Sequence, residues 1–404
     1  MPSNRADHPP AHPPPHPLKG LPWALIAWGA LGIALHVGLA RFAYGVVLPS
    51  LRTELGLGYT AGGVLNALHL AGYLAGTLLG PHIARRLGMA RMARGAHGLV
   101  ALGALVCALA PASPDWGVIL LGLGRLATGL GAGPAVIAIM VSVMAGVAEP
   151  SRAAASVLMW TGMAAAVLLC GLGVPWLLQP GAWRWAFVAA ILVAGLLAWG
   201  FPVAQAPAGG PTGGSGSSWG SMRSHRWGWL VATYGCFGLG YIAYATFAGT
   251  RLAASSAPVS VVALTWFTFG LATLFGSAAT LWLLGHATLR SHALPLAMAL
   301  AGAGCAVAAL ASAGAALAGA ALVGLVMAAI PALVTAAARA RSSAADYARS
   351  FSIATAAMGL GQLVGPVAAG ALADRFGSSA APVFGAAAFA LGTVLASIDR
   401  RAAH

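Results

Sequence analysis

Acidic side chains are scarce here: 7 Asp and Glu among 404 residues, against 21 Lys and Arg. The acids, Asp7, Glu54, Asp115, Glu149, Asp346, Asp374 and Asp399, all fall in a tail or a predicted loop. No carboxylate is therefore expected inside an apolar run, which argues against a buried acid as proton carrier or as counter-ion to an organic cation. Cysteine is sparse too. Cys107, Cys170, Cys236 and Cys305 stand singly in apolar runs without metal-ligand spacing and read as packing residues. No metal and no cofactor is expected. The chain also lacks HExxH, a Walker sequence and any nucleophile, base and orienter set, so it does not read as an enzyme. Gly129, Gly131 and Gly133 superficially form a nucleotide loop, but they sit within an apolar run, where close helix packing explains them.

What is present is hydrocarbon and glycine. Hydrophobic residues make up 59% of the chain, charged ones 7%, and there are 55 glycines; mean hydropathy is +0.85. That composition excludes a soluble domain and indicates helices packed in lipid, where small residues allow close backbone approach. The net charge of +14 would suggest nucleic acid in a soluble chain. Here it reads as basic loops on one side of a bilayer, with no nucleic-acid partner.

Residues 1–20 are polar and proline-rich and read as a disordered, cytoplasmic tail; the prolines forbid a helix through His8, His12 and His16. Apolar spans are predicted at 21–49, 59–83, 95–110, 116–146, 153–178 and 186–201. No cleavage site precedes the first, which is expected to be retained. A Gly/Ser-rich linker, 203–226, follows, and spans resume at 227–250, 261–284, 293–312, 315–338, 351–373 and 381–398. The expectation is an all-α membrane protein of twelve transmembrane helices, with six-helix bundles at 21–202 and 227–398 and a cytoplasmic tail at 399–404.

Basic residues set the orientation. With the N-terminus inside, Arg5, Lys19, Arg85, Arg86, Arg91, Arg94, Arg152, Arg223, Arg226, Arg290, Arg339, Arg341, Arg349, Arg400 and Arg401 are cytoplasmic. Only Arg52, Arg184, Arg251 and Arg375 are outside, so both termini are predicted to lie inside. A repeat relates the halves: Ala40-Arg41-Phe42-Ala43 matches Ala245-Thr246-Phe247-Ala248. Duplicated bundles with a site at their seam suit alternating access.

The run Leu121-Gly-Leu-Gly-Arg125-Leu-Ala-Thr128-Gly129-Leu-Gly131 resembles the fourth-helix signature of the major facilitator superfamily. Ala84-Arg85-Arg86-Leu87-Gly88 resembles its cytoplasmic gating motif, with Arg85 where the family usually has aspartate. Gly361-Gln362-Leu-Val-Gly365-Pro366 is similar to its glycine-proline motif, and Ala373-Asp374-Arg375-Phe376-Gly377 looks like a second gating motif, here placed outside. More narrowly, ARFAYGVVLP, LAGYLAGTLLGP and YGCFGLGYIAYATF resemble the bacterial YbfB/YjiJ-like branch. The resemblance implies the major facilitator fold, a monomeric secondary transporter of a small molecule, and a bacterial inner membrane.

Within the spans, positive charge stands unopposed. Arg41 is costly in hydrocarbon and presents a planar fork suited to carboxylate or phosphate. Its alternative is snorkelling from the outer end of the first span. Arg125 matches the family's helix-four arginine, implicated in proton coupling; the alternative is hydrogen bonding to backbone carbonyls. Asn66, His69 and Tyr73 share one face of the second span, as do His36, Ala40 and Tyr44 on the first. His36 or His69 is a candidate for a coupled proton, because imidazole titrates near neutrality. Tyr241, Tyr244, Thr246, Trp266 and Gln362 are candidates for the C-terminal wall, and Arg85, Arg86 and Gly88 for gating. The favoured cargo is a small organic anion, coupled to protons or a counter-anion; the alternatives are efflux of amphipathic compounds and a non-transporting membrane sensor.

Overall fold

A computed structural model describes residues 20–203, 227–284, 286–310, 312–341 and 344–403, and every extended regular element among them is helical. Most of the expected tail and the linker from residue 204 onward lie outside the described residues. An all-helical chain is what hydrocarbon demands, since each helix satisfies its own backbone donors and acceptors.

The helices are α1 (Trp23–Leu55), α2 (Tyr59–Leu87), α3 (Met89–Ala108), α4 (Trp116–Ala145), α5 (Arg152–Leu177), α6 (Arg184–Gly200), α7 (Gly228–Ala254), α8 (Val259–Leu284), α9 (Ala287–Ala308), α10 (Ala313–Ala340), α11 (Ala344–Phe376) and α12 (Ala380–Ala403). Among the described residues, nine of them are long and apolar enough to cross a membrane, which makes this an integral multi-pass membrane protein. Of the rest, α6 and residues His292–Ala308 of α9 are shorter apolar helices, while α3 carries Arg91 and Arg94 in its first turns.

Several helices outrun their apolar stretches. α1 continues through Pro49 to Leu55, α11 reaches Phe376 and α12 reaches Ala403. Glu54, Asp374 and Asp399 therefore lie in final turns, which corrects their assignment to loops. Polar end turns remain helical here because neighbouring helices use them: Arg341 grips Asp399 with two 2.7 Å hydrogen bonds. Two irregularities interrupt the helices. The stretch Ala34–Phe42 of α1 is π-helical, and α10 breaks at Met327 and Ala328.

Glycine sets the packing distances. A methyl at Gly129 of α4 would overlap the His69 carbonyl of α2, and one at Gly72 of α2 would overlap the Leu126 carbonyl in return. Gly103 of α3 meets Gly124 of α4 backbone to backbone, and Gly304 of α9 meets Gly319 of α10 the same way. Among the described residues the halves touch most extensively through three pairs: α1 with α7, α2 with α11, and α5 with α8. Gly45 lies on the Ala245 carbonyl, Gly63 on that of Pro366, and Gly171 on the Phe267 backbone.

Gly129→Val should lower the thermal midpoint of the purified protein by several degrees or prevent folding, since overpacking costs about 1–3 kcal/mol or more. Gly98→Ala, with nothing within 4 Å of the added methyl, should leave it unchanged in the same melting assay.

Candidate functional site

The two guanidinium groups on α1 and α4 are treated differently. Arg125 is fully buried. It donates to the Ala40 carbonyl, to Asn66 Oδ1 at 2.7 Å and, at 3.5 Å, to the Leu65 carbonyl. Its charge also lies 4.4 Å from the centre of the Tyr44 ring. Asn66 passes the contact across the seam, its Nδ2 donating to Thr246 Oγ1 at 2.8 Å. Arg125 thus ties α1, α2 and α4 together and reaches α7 through Asn66.

Arg41 lies near the end of the π-helical stretch and turns toward the opposite half. It donates to Gln362 Oε1 of α11 across the seam. Its guanidinium carbon lies 5.9 Å from the Tyr73 ring centre and 5.7 Å from that of Tyr241. Arg41 Nε and Gln362 Nε2 are buried without a partner among the described residues. Two unpaired N–H donors beside a positive charge, with no described carboxylate bonded to it, favour an acceptor oxygen at this point.

The other candidates distribute around this centre. Tyr44 donates to the Gly62 carbonyl at 2.8 Å, and His69 Nδ1 meets Thr128 Oγ1 at 3.0 Å. His36 turns to α3, its Nε2 3.1 Å from His97 Nδ1. The polar residues of α1 diverge because a π-helical turn holds more residues than an α-turn and loosens the i, i+4 register. Trp266 packs between Gly45 and Gly249. Tyr244 stacks on Phe269, at 6.0 Å, and borders a small separate cavity with Phe247 and Arg251. Arg85 and Arg86 are exposed, and Gly88 ends α2 at φ +81°, which favours glycine. Neither the cavity beside Tyr244 nor one at the start of α3 borders Arg41.

Three aromatic residues absent from the sequence candidates belong here, Tyr234, Phe237 and Phe42. Tyr234, Phe237 and Tyr241 stack in sequence along α7, with centroids 5.8 and 4.7 Å apart, and Phe42 of α1 lies 6.3 Å from Tyr241. On α7 their spacing of three and four residues was the available signal. His97 was not singled out, although Arg94 stands one turn before it on α3.

The seam is fastened at the Leu55 end. Asp374, in the last turn of α11, accepts hydrogen bonds from the Tyr59 and Thr60 amides at 2.7 and 2.8 Å, capping the start of α2. Glu54 nearby accepts from the Gly181 amide, Trp183 Nε1 and Arg184.

The halves of this helical membrane protein meet around two arginines, one buried and one half-buried, with no described carboxylate hydrogen-bonded to either. The chain belongs to the family described as "Uncharacterised MFS-type transporter YbfB", whose profile matches residues 33–397; it is a major facilitator transporter and not an enzyme. No functionally curated protein matches it. Among solved structures it is similar to a point mutant of the nucleoside transporter NupG, with a TM-score of 0.74, 13% identity, and 93% of this chain and 98% of that one covered. It is also similar to a D-xylose-proton symporter, with a TM-score of 0.70, 15% identity, and coverage of 93% and 97%. A bacterial homologue of the human lysosomal transporter Spinster, crystallised inward-facing and unoccupied, gives a TM-score of 0.66, 16% identity, and coverage of 94% and 95%. At these identities the likeness establishes the fold.

Asp374→Ala should free the Tyr59 and Thr60 amides. A lost cap worth about 1 kcal/mol predicts roughly fivefold faster hydrogen exchange in the peptide spanning them, read by mass spectrometry. Peptides of α9, remote from the cap, should exchange as before.

Proposed function

We propose that this protein moves a small organic anion across a bacterial inner membrane by alternating access, working as a monomer. Twelve spans, with both termini cytoplasmic, form bundles at 21–202 and 227–398 that rock about the seam between them. The reading rests on one observation: Arg41 Nε and Gln362 Nε2, from opposite halves, are buried donors without an acceptor among the described residues. A carboxylate or phosphate oxygen supplies acceptors to both and neutralises the guanidinium. Binding then draws α1 and α11 together, and release into water on either side restores the unpaired state.

The rings of Tyr73 and Tyr241 bracket the charge and favour an anion carrying a flat or apolar body. Tyr44, Asn66, His69, Thr246 and Trp266 support the wall from behind, and Arg85, Arg86 and Gly88 belong to the cytoplasmic gate. Charge balance comes from a proton on His36 or His69, or from exchange for a second anion. Arg125 positions α1, α2 and α4 and does not itself touch the cargo. A second reading, efflux of amphipathic neutral compounds, draws on the stacked rings of Phe42, Tyr234, Phe237 and Tyr241.

Purified protein is melted against panels of carboxylates, phosphates, nucleosides, sugars and lipophilic amphiphiles, because a ligand of the folded state raises its apparent stability. The anion reading expects carboxylates or phosphates to raise the midpoint, Arg41→Ala to melt like the parent but lose the shift, and Gln362→Ala to weaken binding about tenfold, the scale of one hydrogen bond to a charged group. Uptake of the same compound into proteoliposomes should follow that order. A shift from neutral amphiphiles that survives Arg41→Ala selects the efflux reading. Arg125→Ala, by contrast, should lower the midpoint without any ligand, because it strands Asn66 Oδ1 and the Ala40 carbonyl.

A further inference from the structure

A cavity of about 170 Å³ lies between the start of α3 and the end of α6, far above the ~10–15 Å³ that one water needs. Arg94 and His97, one turn apart, line it from α3; Leu197, Trp199 and Phe201 line it from α6 and the residue beyond. His97 is 1% exposed, yet its Nε2 has no partner among the described residues. Its Nδ1 is engaged with His36 Nε2. When His36 is the donor in that bond, the His97 proton resides on Nε2, and His97 is among the residues that line the cavity. Arg94 adds a positive fork. The helices α2, α3, α4 and α6 contain no acidic residue, so none of them carries a competitor for these donors.

We propose that this cavity holds the phosphate of an anionic phospholipid headgroup, with Arg94 and His97 Nε2 as its donors. The phosphate chemistry alone fits free phosphate equally well; the rim decides for lipid. Leu192, Leu196 and Trp199 follow one another at four- and three-residue steps along one face of α6 and are 69%, 52% and 94% exposed. That apolar stripe leads from the cavity along the helix and offers a bed for acyl chains, which a free ion does not use. Basic pockets between helices at the polar boundary of a membrane are suited to such headgroups. The site is separate from Arg41, so this inference does not depend on the cargo assigned above.

The full chain is placed in mixed micelles containing equal amounts of phosphatidylglycerol and phosphatidylcholine with matched acyl chains, and retained lipid is counted by native mass spectrometry. The parent should retain phosphatidylglycerol in preference. Arg94→Gln, at an exposed position, should cut that preference about fivefold, the scale of one basic residue at a membrane surface, and His97→Phe should lower it as well. Arg401→Gln, on α12, should leave it within about twofold of the parent, because Coulomb attraction from the other half is screened over that distance. Three results would overturn the assignment: no preference in the parent, an equal loss in Arg401→Gln and Arg94→Gln, or displacement of the bound lipid by millimolar inorganic phosphate, which would mark a free-ion site. Should His97→Phe fail to fold, Arg94→Gln alone still decides between these outcomes.

Discussion

A guanidinium removed from water must find oxygen or ring faces to replace its hydration, and this protein has almost no carboxylates with which to do so. Everything at its centre follows from that constraint. Arg125 is surrounded inside one half and spends its donors on carbonyls and an amide, so its charge becomes structural glue. Arg41 stands at the seam, where the opposite wall offers one amide oxygen and a ring, and α2 a second ring. The same chemical group is therefore saturated in one place and needy in the other. Under the proposed function, location relative to the seam, and not residue type, separates framework from binding surface.

The two ends of the seam are built unequally. At the Leu55 end Asp374 reaches across to the first amides of α2, and glycine brings α1 onto α7 and α2 onto α11 at backbone distance. At the other end of α2, Arg85 and Arg86 are exposed to solvent, and an arginine occupies the position where related carriers place an aspartate. Charge against helix dipole thus favours closure at the Leu55 end in the structure described.

Much of this was legible in the chain. Glycine and alanine abundance gave the mode of packing, and the isolated arginine within an apolar run had to face protein. What sequence concealed has physical causes. The ends of α1, α11 and α12 are polar, and a hydropathy pattern stops at the first charge, whereas Asp399 and Asp374 stay helical because Arg341 and the α2 amides hold them. The π-helical stretch has no compositional mark, so the regular face drawn through His36, Ala40 and Tyr44 dissolved. His97 was invisible because its meaning depends on His36, 61 residues away. Tyr241 and Tyr244 looked equivalent on a helix wheel, yet only the first meets Arg41.

Gly45 and Gly249 leave α1 and α7 touching as bare main chain, with Trp266 laid against them. Where side chains interlock, one body must lift clear of the other before it can turn. Smooth cylinders need no such clearance. In the proposed rocking cycle that spot is the fulcrum on which one half rolls against the other, and the ease of that roll is set by two hydrogen atoms where any other residue would carry carbon.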